Sequence, residues 1–267
     1  MKINTSNNSV NSQISSVREQ QEQAMKQLIT GLKINSASDD AAGLQISNRL
    51  SNQASGTQVA IRNANDGYSL ASVAESALSG ISDAAGRINE LSLQAANGSL
   101  SSADREAIQQ EISQIQQQVG DIQTYTSFGG QSLFAGSTDR HFQVGANANT
   151  TIGLALPDFT DVLGELQVID VTSQDGAQAA IESSQGIGEY VDSVRGQIGA
   201  FQNRVESSIN NLNNQYIQTE ASRSRIQDTD FAQATADKTQ ASILSNIGLS
   251  VSAQANVSNQ QALSLLN

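Results

Sequence analysis

The sequence predicts a mainly α-helical protein, in which the N- and C-terminal regions form a long antiparallel helical bundle or coiled coil around a small β-hairpin region in the middle. Three observations predict this class. Heptad-spaced residues recur on several segments, β-prone runs are confined to the middle, and the composition disfavours a thick core. Only 4% of the 267 residues are aromatic and there is no Trp. Thin contacts between helices suit such a chain better than a large interior.

The N-terminal half carries three helical segments. The second is predicted from Leu44 to Asn97, which at 1.5 Å per residue is about 80 Å. After an NGS turn at 97–99, Ser102 with Glu106 nearby predicts the start of the third helix. The heptad positions are Val10, Ile14, Val17, Gln21, Ala24 and Leu28 in the first segment, Leu50, Ala54, Thr57, Ile61, Ala64, Tyr68, Ala71 and Leu78 in the second, and Ile108, Ile112, Ile115, Val119 and Ile122 in the third.

The middle of the chain has a different pattern. Residues 126–180 contain TSFGGQSLF, HFQVGANANTTIGLAL and ELQVIDVTSQDG, which predict two or three hairpin-like strands. A helix returns at Ile187 and runs to about residue 226, and a last helical segment follows. Several seams on one chain favour an intramolecular bundle over a simple two-stranded coiled coil. The heptad positions of the returning helix are Ile187, Val191, Val194, Ile198, Phe201, Val205 and Leu212, and the last segment carries Ile243, Leu244, Ile247, Val251, Ala255 and Ala262.

Charge and composition exclude several functions. A net charge of −12 disfavours binding to nucleic acid or to an anionic membrane, because both need clustered Lys and Arg. No apolar run is long enough to span a bilayer, and the N-terminus lacks the apolar region of a cleavable signal. With one histidine, His141, and no cysteine, His/Cys zinc sites and thiol nucleophiles are excluded. We therefore expect no cofactor, no metal and no enzymatic activity.

The segment GLKINSASDDAAG, residues 31–43, interrupts the helical pattern between the first and second helices. Gly31 is suited to ending one helix, and Ser38, Asp39 or Asp40 to capping the next. The adjacent carboxylates also suggest an acid–base pair, but nothing in the sequence supplies supporting groups for such a pair. We interpret these residues as a capped joint, called the joint segment below.

The joint segment resembles the corresponding segment of bacterial flagellins, the filament-forming proteins of the flagellum. Further matches cover residues 1–145 and 185–267, in the order in which the family carries them. They are INT at 3–5, ISNRL at 46–50, RNANDGYSLASVAESAL at 62–78, RINELSLQAANGS at 87–99, FGGQSLFAG at 128–136, FQVG at 142–145, SRIQDTDFA at 224–232, SILSNIGLSVSAQAN at 242–256 and LSLL at 263–266.

The resemblance implies a structural subunit that polymerises into the flagellar filament for motility. It implies a terminal coiled-coil domain, residues 1–42 with 228–267, that lines the inner tube, and a helical rod domain, residues 43–227, with a β-containing region at about 126–180. Only about forty residues separate FQVG from the returning helix, so we expect a minimal flagellin that lacks large outer domains. The resemblance also implies that the joint segment is the spoke linking the inner-tube domain to the rod domain. The spoke would comprise Asn35, Ser36, Ser38, Asp39 and Asp40.

The resemblance also implies partners and a location. The protein would be a homopolymer on the extracellular flagellum, exported by the flagellar type III route. An export chaperone would bind the C-terminal segment, and cap and junction proteins would contact the filament. Two sets of residues match positions bound by host innate receptors. The first set matches the patch bound by the Toll-like receptor and comprises Arg87, Glu90, Leu91, Gln94 and Glu111. The second matches leucines bound by cytosolic innate receptors and comprises Leu263, Leu265 and Leu266. Packing inside the inner tube is an equally good interpretation of these leucines.

Four alternatives stand beside the major filament subunit. Departures from the family, such as Gln27-Leu28-Ile29-Thr30 before Gly31 and Asn259 in place of a common Pro, suggest a minor specialised flagellin. A hook–filament junction protein would share the terminal helices. An export-system needle or translocator would lack the β-containing middle, and a metal-dependent enzyme of the kind inserted in some flagellins would need a second histidine. We also expect residues 1–35 and about 230–267 to be disordered in the monomer and to fold on assembly.

Overall fold

The computed structural model describes residues 3–134 and 136–264, without the side chains of residues 3–9, 138, 258–260 and 262–264. Within those ranges the chain forms six helices and four short strands. This confirms the predicted class, long helices from both ends of the chain with a small β-containing middle. The elements are α1 (Ile3–Thr30), α2 (Ala41–Ala95), α3 (Ser102–Tyr125), β1 (Ser127–Phe128), β2 (Gln131–Ser132), β3 (Thr138–Gln143), β4 (Thr151–Leu156), α4 (Thr160–Gln167), α5 (Gln174–Gln227) and α6 (Phe231–Ser264).

The chain divides into two compact units. The terminal unit is Met1–Ala54 with Ile217–Asn267, and the middle unit is Ser55–Tyr216. In the terminal unit, α1 and α6 are antiparallel: Gly248 of α6 lies beside Ile14 of α1, and the start of α6 at Phe231 lies beside Gly31 at the end of α1. The predicted seam of α1 faces this contact, with Ile14 and Ala24 buried.

The buried face of α6 is made of small residues. Ala234, Ala241 and Ser245 are buried, and a Cβ added at Gly248 would lie 2.9 Å from Cγ1 of Ile14. The large apolar residues of this segment are not buried: Ile243, Leu244, Ile247 and Val251 are 43–54% exposed. Since α1 approaches α6 so closely, only small side chains fit between them, and the large ones face outward.

The middle unit is a bundle of antiparallel helices. Asn89 of α2 donates through Nδ2 to Oγ of Ser184 on α5 at 3.0 Å. Farther along the same pair, Gln202 of α5 donates through Nε2 to Oε2 of Glu75 at 3.0 Å. Helix α3 runs back along α2. The predicted heptad residues of α5 are all buried: Ile187, Val191, Val194, Ile198, Phe201, Val205 and Leu212.

Two starting points differ from the sequence predictions. Helix α3 is capped by Ser101, which forms a capping box with Asp104, and not by Ser102 with Glu106. Helix α5 begins at Gln174 and not at Ile187. Its first turns bury Ala177 and Ala180, residues too small to stand out in a pattern of large apolar side chains.

One predicted seam position of α2 is displaced. Tyr68 is 40% exposed, and its neighbour Gly67 faces the core instead. A Cβ at Gly67 would lie 2.9 Å from Cγ of Phe142 on β3. The Phe142 ring therefore occupies the space that a large side chain on this face of α2 would need, and Tyr68 points away from the core.

The β-containing region consists of two separate antiparallel hairpins, β1 with β2 and β3 with β4. Gly129 and Gly130, with φ of +58° and +79°, form the first turn, where positive φ favours glycine. The predicted strand in ELQVIDV is wrong: residues up to Gln167 belong to α4 and a loop follows. Two glutamines of α3 hold the backbone of this loop: Gln109 accepts from Val171 N at 2.8 Å, and Gln116 donates to Ile169 O at 3.1 Å.

Candidate functional site: the joint segment and the exposed face of the terminal unit

The joint segment begins with the end of α1. Gly31 adopts φ +72°, and its amide donates to the carbonyl of Gln27 at 2.8 Å. This is a left-handed C-terminal cap, which glycine adopts without steric cost. The chain can therefore leave the helix axis at this residue.

Asp39 holds the middle of the joint segment together. Its Oδ2 accepts from the amides of Asn35 and Ser36 at 3.0 and 2.9 Å, and from Oγ of Ser36 at 3.0 Å. The amide of Asn35 and then the hydroxyl of Ser36 hold the pKa of Asp39 below its ordinary value, because both donate to the ionised form. Ser38 joins the same network, with its Oγ 2.7 Å from that of Ser36.

Asp40 has a different role from its neighbour. Its Oδ1 accepts from the amide of Gly43 at 2.9 Å, so of the three predicted caps Asp40 is the residue that caps α2. A Cβ at Gly43 would contact the Asp40 carboxylate and would lie 2.6 Å from Cδ1 of Ile34, which is 3% exposed. The two adjacent carboxylates therefore each stabilise a backbone turn, an arrangement that fits a joint and not a catalytic pair.

The short connection between α5 and α6 pairs with the joint segment. Lys33 N donates to Gln227 O at 2.7 Å, and Thr229 N donates to Gly31 O at 3.0 Å. Asp230 caps α6 by accepting from the amide of Ala232 at 2.8 Å. Sequence reasoning did not assign these residues to the joint, although an Asp directly before a helix was an available signal.

The outward face of α6 carries an apolar stripe. Ile243, Ile247 and Val251 are spaced four residues apart, which places them on one side of a helix, with Leu244 beside them. They are about half exposed. Together these four residues are called the α6 stripe below. Contiguous exposed apolar surface of this kind marks an interaction site in soluble proteins.

The predicted receptor patch lies on α2 and α3 of the middle unit. Arg87 donates to Oε1 of Glu111 at 2.6 Å and to Oε2 of Glu90 at 3.0 Å, and the Glu111 carboxylate foremost raises the pKa of Arg87. Gln94 is exposed beside them, whereas Leu91 is 3% exposed and belongs to the hydrophobic core. The structure brings the four polar residues to the surface and does not bring Leu91 there. Of the C-terminal leucines, Leu265 and Leu266 and the side chain of Leu263 lie outside the described residues.

A helical subunit that exposes an apolar stripe on one helix has the character of a self-associating structural protein. The sequence comparisons give the family. The bacterial flagellin N-terminal helical region matches residues 2–139, and the bacterial flagellin C-terminal helical region matches residues 185–266. Flagellin C of Vibrio cholerae is 33% identical to this chain, covering 99% of each. This chain belongs to the bacterial flagellin family.

Two solved structures share the fold. A flagellin of Bacillus cereus superposes with a TM-score of 0.53 at 24% identity, over 57% of this chain and 88% of that chain. A putative flagellar hook-associated protein of Vibrio parahaemolyticus superposes with a TM-score of 0.61 at 16% identity, over 71% of this chain and 100% of that chain. At these identities the likeness concerns the fold alone.

Family membership confirms that this protein is a self-assembling structural subunit of the flagellar filament, which serves motility. The short middle fits the expectation of a minimal flagellin, since the alignment with V. cholerae flagellin C runs over 372 residues while this chain has 267. None of the described helices is long and apolar enough to cross a membrane.

Proposed function

We propose that this flagellin polymerises by burying the α6 stripe against other copies of the same chain. The stripe carries the proposal because it exposes large apolar side chains on the helix whose other face is already packed on α1. Fully burying such a side chain contributes roughly 1.5–3 kcal/mol, so a few of them supply a substantial driving force. A head-to-tail contact that does not close on itself then extends into a helical filament.

The domain organisation of the assembled filament follows from where the helices end. We place residues 1–42 and 228–267 in the inner tube and residues 43–227 in the surrounding layer. Two breaks support these boundaries: the joint segment lies between α1 and α2, and residues 228–230 lie between α5 and α6. The spoke comprises Asn35, Ser36, Ser38, Asp39 and Asp40, whose hydrogen bonds fix the direction in which the chain leaves α1.

Seeded assembly tests the proposal. Purified protein is mixed with short filament seeds or precipitating salt and examined by electron microscopy. Long filaments as wide as flagellar filaments are expected. Persistent monomers that copolymerise only with another flagellin would instead assign the chain to a minor subunit or a junction protein.

The terminal helices fold fully only on assembly. Among the described side chains of α1 and α6, the buried apolar ones are Ile14, Ala24, Ala234 and Ala241. Isolated helices without packing are marginal in water. Hydrogen exchange of the monomer should show weak protection of residues 1–35 and 230–264. Strong protection of both segments in monomers would contradict this.

Proteins other than the filament subunits also bind the C-terminal segment or the filament ends. The export chaperone binds the C-terminal segment 228–267 and covers the α6 stripe before type III export, while cap and junction proteins contact the filament ends. Calorimetric titration of the purified flagellin with its chaperone should lose affinity when Ile247 becomes Ser. The role is structural, as in the rest of the family, and both adjacent carboxylates of the joint segment are engaged by backbone turns.

A host Toll-like receptor binds the exposed surface of Arg87, Glu90, Gln94 and Glu111, and Leu91 supports that surface from below. Arg87→Ala should lower potency in a receptor reporter-cell assay, whereas Arg204→Ala, an exposed arginine elsewhere on the middle unit, should not. Leu91→Ala should lower potency together with the thermal midpoint, because it leaves a cavity in the core. Unchanged potency of the Arg87 variant would contradict the proposal.

A further inference from the structure

The turn between α2 and α3 contains the sequence Asn97-Gly98-Ser99, and all three residues are exposed. From its hydrogen bonds we propose that this turn is a self-modifying site, at which Asn97 deamidates through a cyclic imide in the folded protein. The inference concerns a covalent modification of the chain and is independent of how the subunit polymerises.

The electrophile in this reaction is Cγ of Asn97, whose side-chain oxygen accepts two hydrogen bonds. Oδ1 accepts from the amide of Ser99 at 3.1 Å and from its hydroxyl at 2.9 Å. Because Oδ1 reaches the amide two residues ahead, the side chain of Asn97 is folded along the Asn97–Gly98 peptide, as in other Asx turns. The amide and the hydroxyl of Ser99 can therefore stabilise the negative charge that develops on Oδ1 when Cγ is attacked, which is the role of an oxyanion hole.

The nucleophile is the backbone nitrogen of Gly98, which has no hydrogen-bond partner among the described residues and no side chain to shield it. The carbonyl of the same peptide group accepts from the guanidinium of Arg105 at 3.0 Å and from the amide of Leu100 at 3.2 Å. Both bonds draw electrons towards the carbonyl oxygen and make the Gly98 N–H more acidic. Arg105 is held in place, since it also donates to the carbonyl of Ala95 at 2.8 Å.

The reaction needs only water. Hydroxide removes the Gly98 proton, the nitrogen forms a bond to Cγ of Asn97, and the bond from Cγ to Nδ2 breaks, so that ammonia leaves with a proton from water. Water then opens the imide at either carbonyl, which gives aspartate or isoaspartate. Either product adds a negative charge to the turn, and isoaspartate lengthens the backbone so that the carbonyl bound by Arg105 is displaced.

Peptide mapping by mass spectrometry tests the proposal on the full-length protein, incubated at mildly alkaline pH with samples taken over time. The comparison is a synthetic peptide of residues 92–102, which has the same sequence but no fixed turn. We expect Asn97 to deamidate faster in the folded protein than in the peptide, because the donors to Oδ1 and to the Asn97 carbonyl are fixed in the folded turn. An equal or slower rate in the folded protein would overturn the proposal.

Two variants separate the contribution of the turn from that of the dipeptide. Ser99→Ala removes the hydroxyl donor and should slow the reaction of the folded protein roughly fivefold, the rate equivalent of one neutral hydrogen bond, with little change in the matching peptide. Gly98→Ala, whose Cβ would meet only Nε2 of Gln174 at 4.0 Å, should slow it strongly in both, because the methyl group shields the nitrogen. Asn89, in the middle of α2 with its Nδ2 bonded to Oγ of Ser184 at 3.0 Å, is the internal control that should stay unmodified. An unchanged rate for the folded Ser99→Ala variant would assign the reaction to the dipeptide alone and overturn the proposed role of the turn.

Discussion

Gly43 shows how a single residue fixes the joint segment. The sequence gives no reason for a glycine in the first turn of α2, where glycine is a poor helix former. The structure supplies the reason, since a Cβ there would press on the Asp40 cap and on the buried side chain of Ile34. A larger residue does not fit there without displacement, because the joint folds back tightly over the start of the helix.

Replacing Gly43 by Ala should therefore destabilise the protein, by about 1–3 kcal/mol for an overpacked site. Gly86→Ala, in the same helix but with nothing within 4 Å of the added Cβ, should instead stabilise by up to about 1 kcal/mol through helix propensity. Denaturant unfolding followed by circular dichroism compares the two variants. Equal effects of the same sign would contradict the steric explanation.

Asp39 makes the joint segment sensitive to acid. Because its pKa is lowered in the folded protein, its ionised form stabilises the joint fully above the ordinary pKa of an aspartate, about 3.9. That stabilisation is lost as the pH falls through the lower folded pKa. Hydrogen exchange of residues 35–40 should therefore speed up, beyond its intrinsic pH dependence, below about pH 4.

The matched control for this acid sensitivity is Asp39→Asn. The variant should show weak protection of residues 35–40 at every pH, because an amide oxygen is a poorer acceptor than a carboxylate. A wild-type profile in the variant would show that Asp39 does not hold the joint.

At the scale of elements, α6 is the helix whose two faces differ most from expectation. Its small residues pack on α1, and its large apolar residues face outward. A heptad pattern cannot distinguish these two arrangements by itself, because both faces of α6 carry residues at helical spacing. Which face is buried depends on how closely the partner helix approaches.

The α6 stripe should control polymerisation. Ile247→Ser keeps helix propensity similar but removes a half-exposed apolar side chain that assembly would bury. The critical concentration for filament growth should therefore rise roughly tenfold, equivalent to about 1.4 kcal/mol. Leu249→Ser is the matched control, since Leu249 is 46% exposed on the same helix but lies off the stripe. Sedimentation of filaments at a series of protein concentrations measures both. An Ile247 variant that assembles like the wild type would contradict the proposed interface.

At the scale of the whole molecule, charge is divided unevenly between the two units. The terminal unit contains 8 basic and 8 acidic residues and is neutral, whereas the middle unit contains 6 basic and 18 acidic residues and carries the whole net charge of −12. A neutral terminal unit can pack densely against its copies. The middle units of neighbouring subunits repel each other unless counterions screen them.

Filament growth should consequently depend on salt. The screening length is roughly 30 Å at about 0.01 M ionic strength and roughly 8 Å at about 0.15 M. The critical concentration should therefore be lower at the higher ionic strength. Sedimentation at constant pH measures the change. A critical concentration independent of salt would indicate that the acidic surfaces of neighbouring subunits lie far apart in the filament.

The sequence by itself determined the helical class, the family and the two breaks around the terminal segments. These follow from local information: heptad spacing, the Gly31 cap with Ser38, Asp39 or Asp40 after it, and the combination of motifs. It also predicted the hairpin region, although the run ELQVIDV looked like a strand because apolar residues in a short segment suit either a strand or a buried loop.

Only the tertiary structure decided which faces are buried. It placed Leu91 in the core beneath the polar patch, turned the α6 stripe outward, and brought Gln227 and Thr229 to the joint segment. Each of these outcomes depends on the distance between elements that are far apart in sequence. A pattern along one chain records the spacing of residues on an element but does not record how closely another element approaches it.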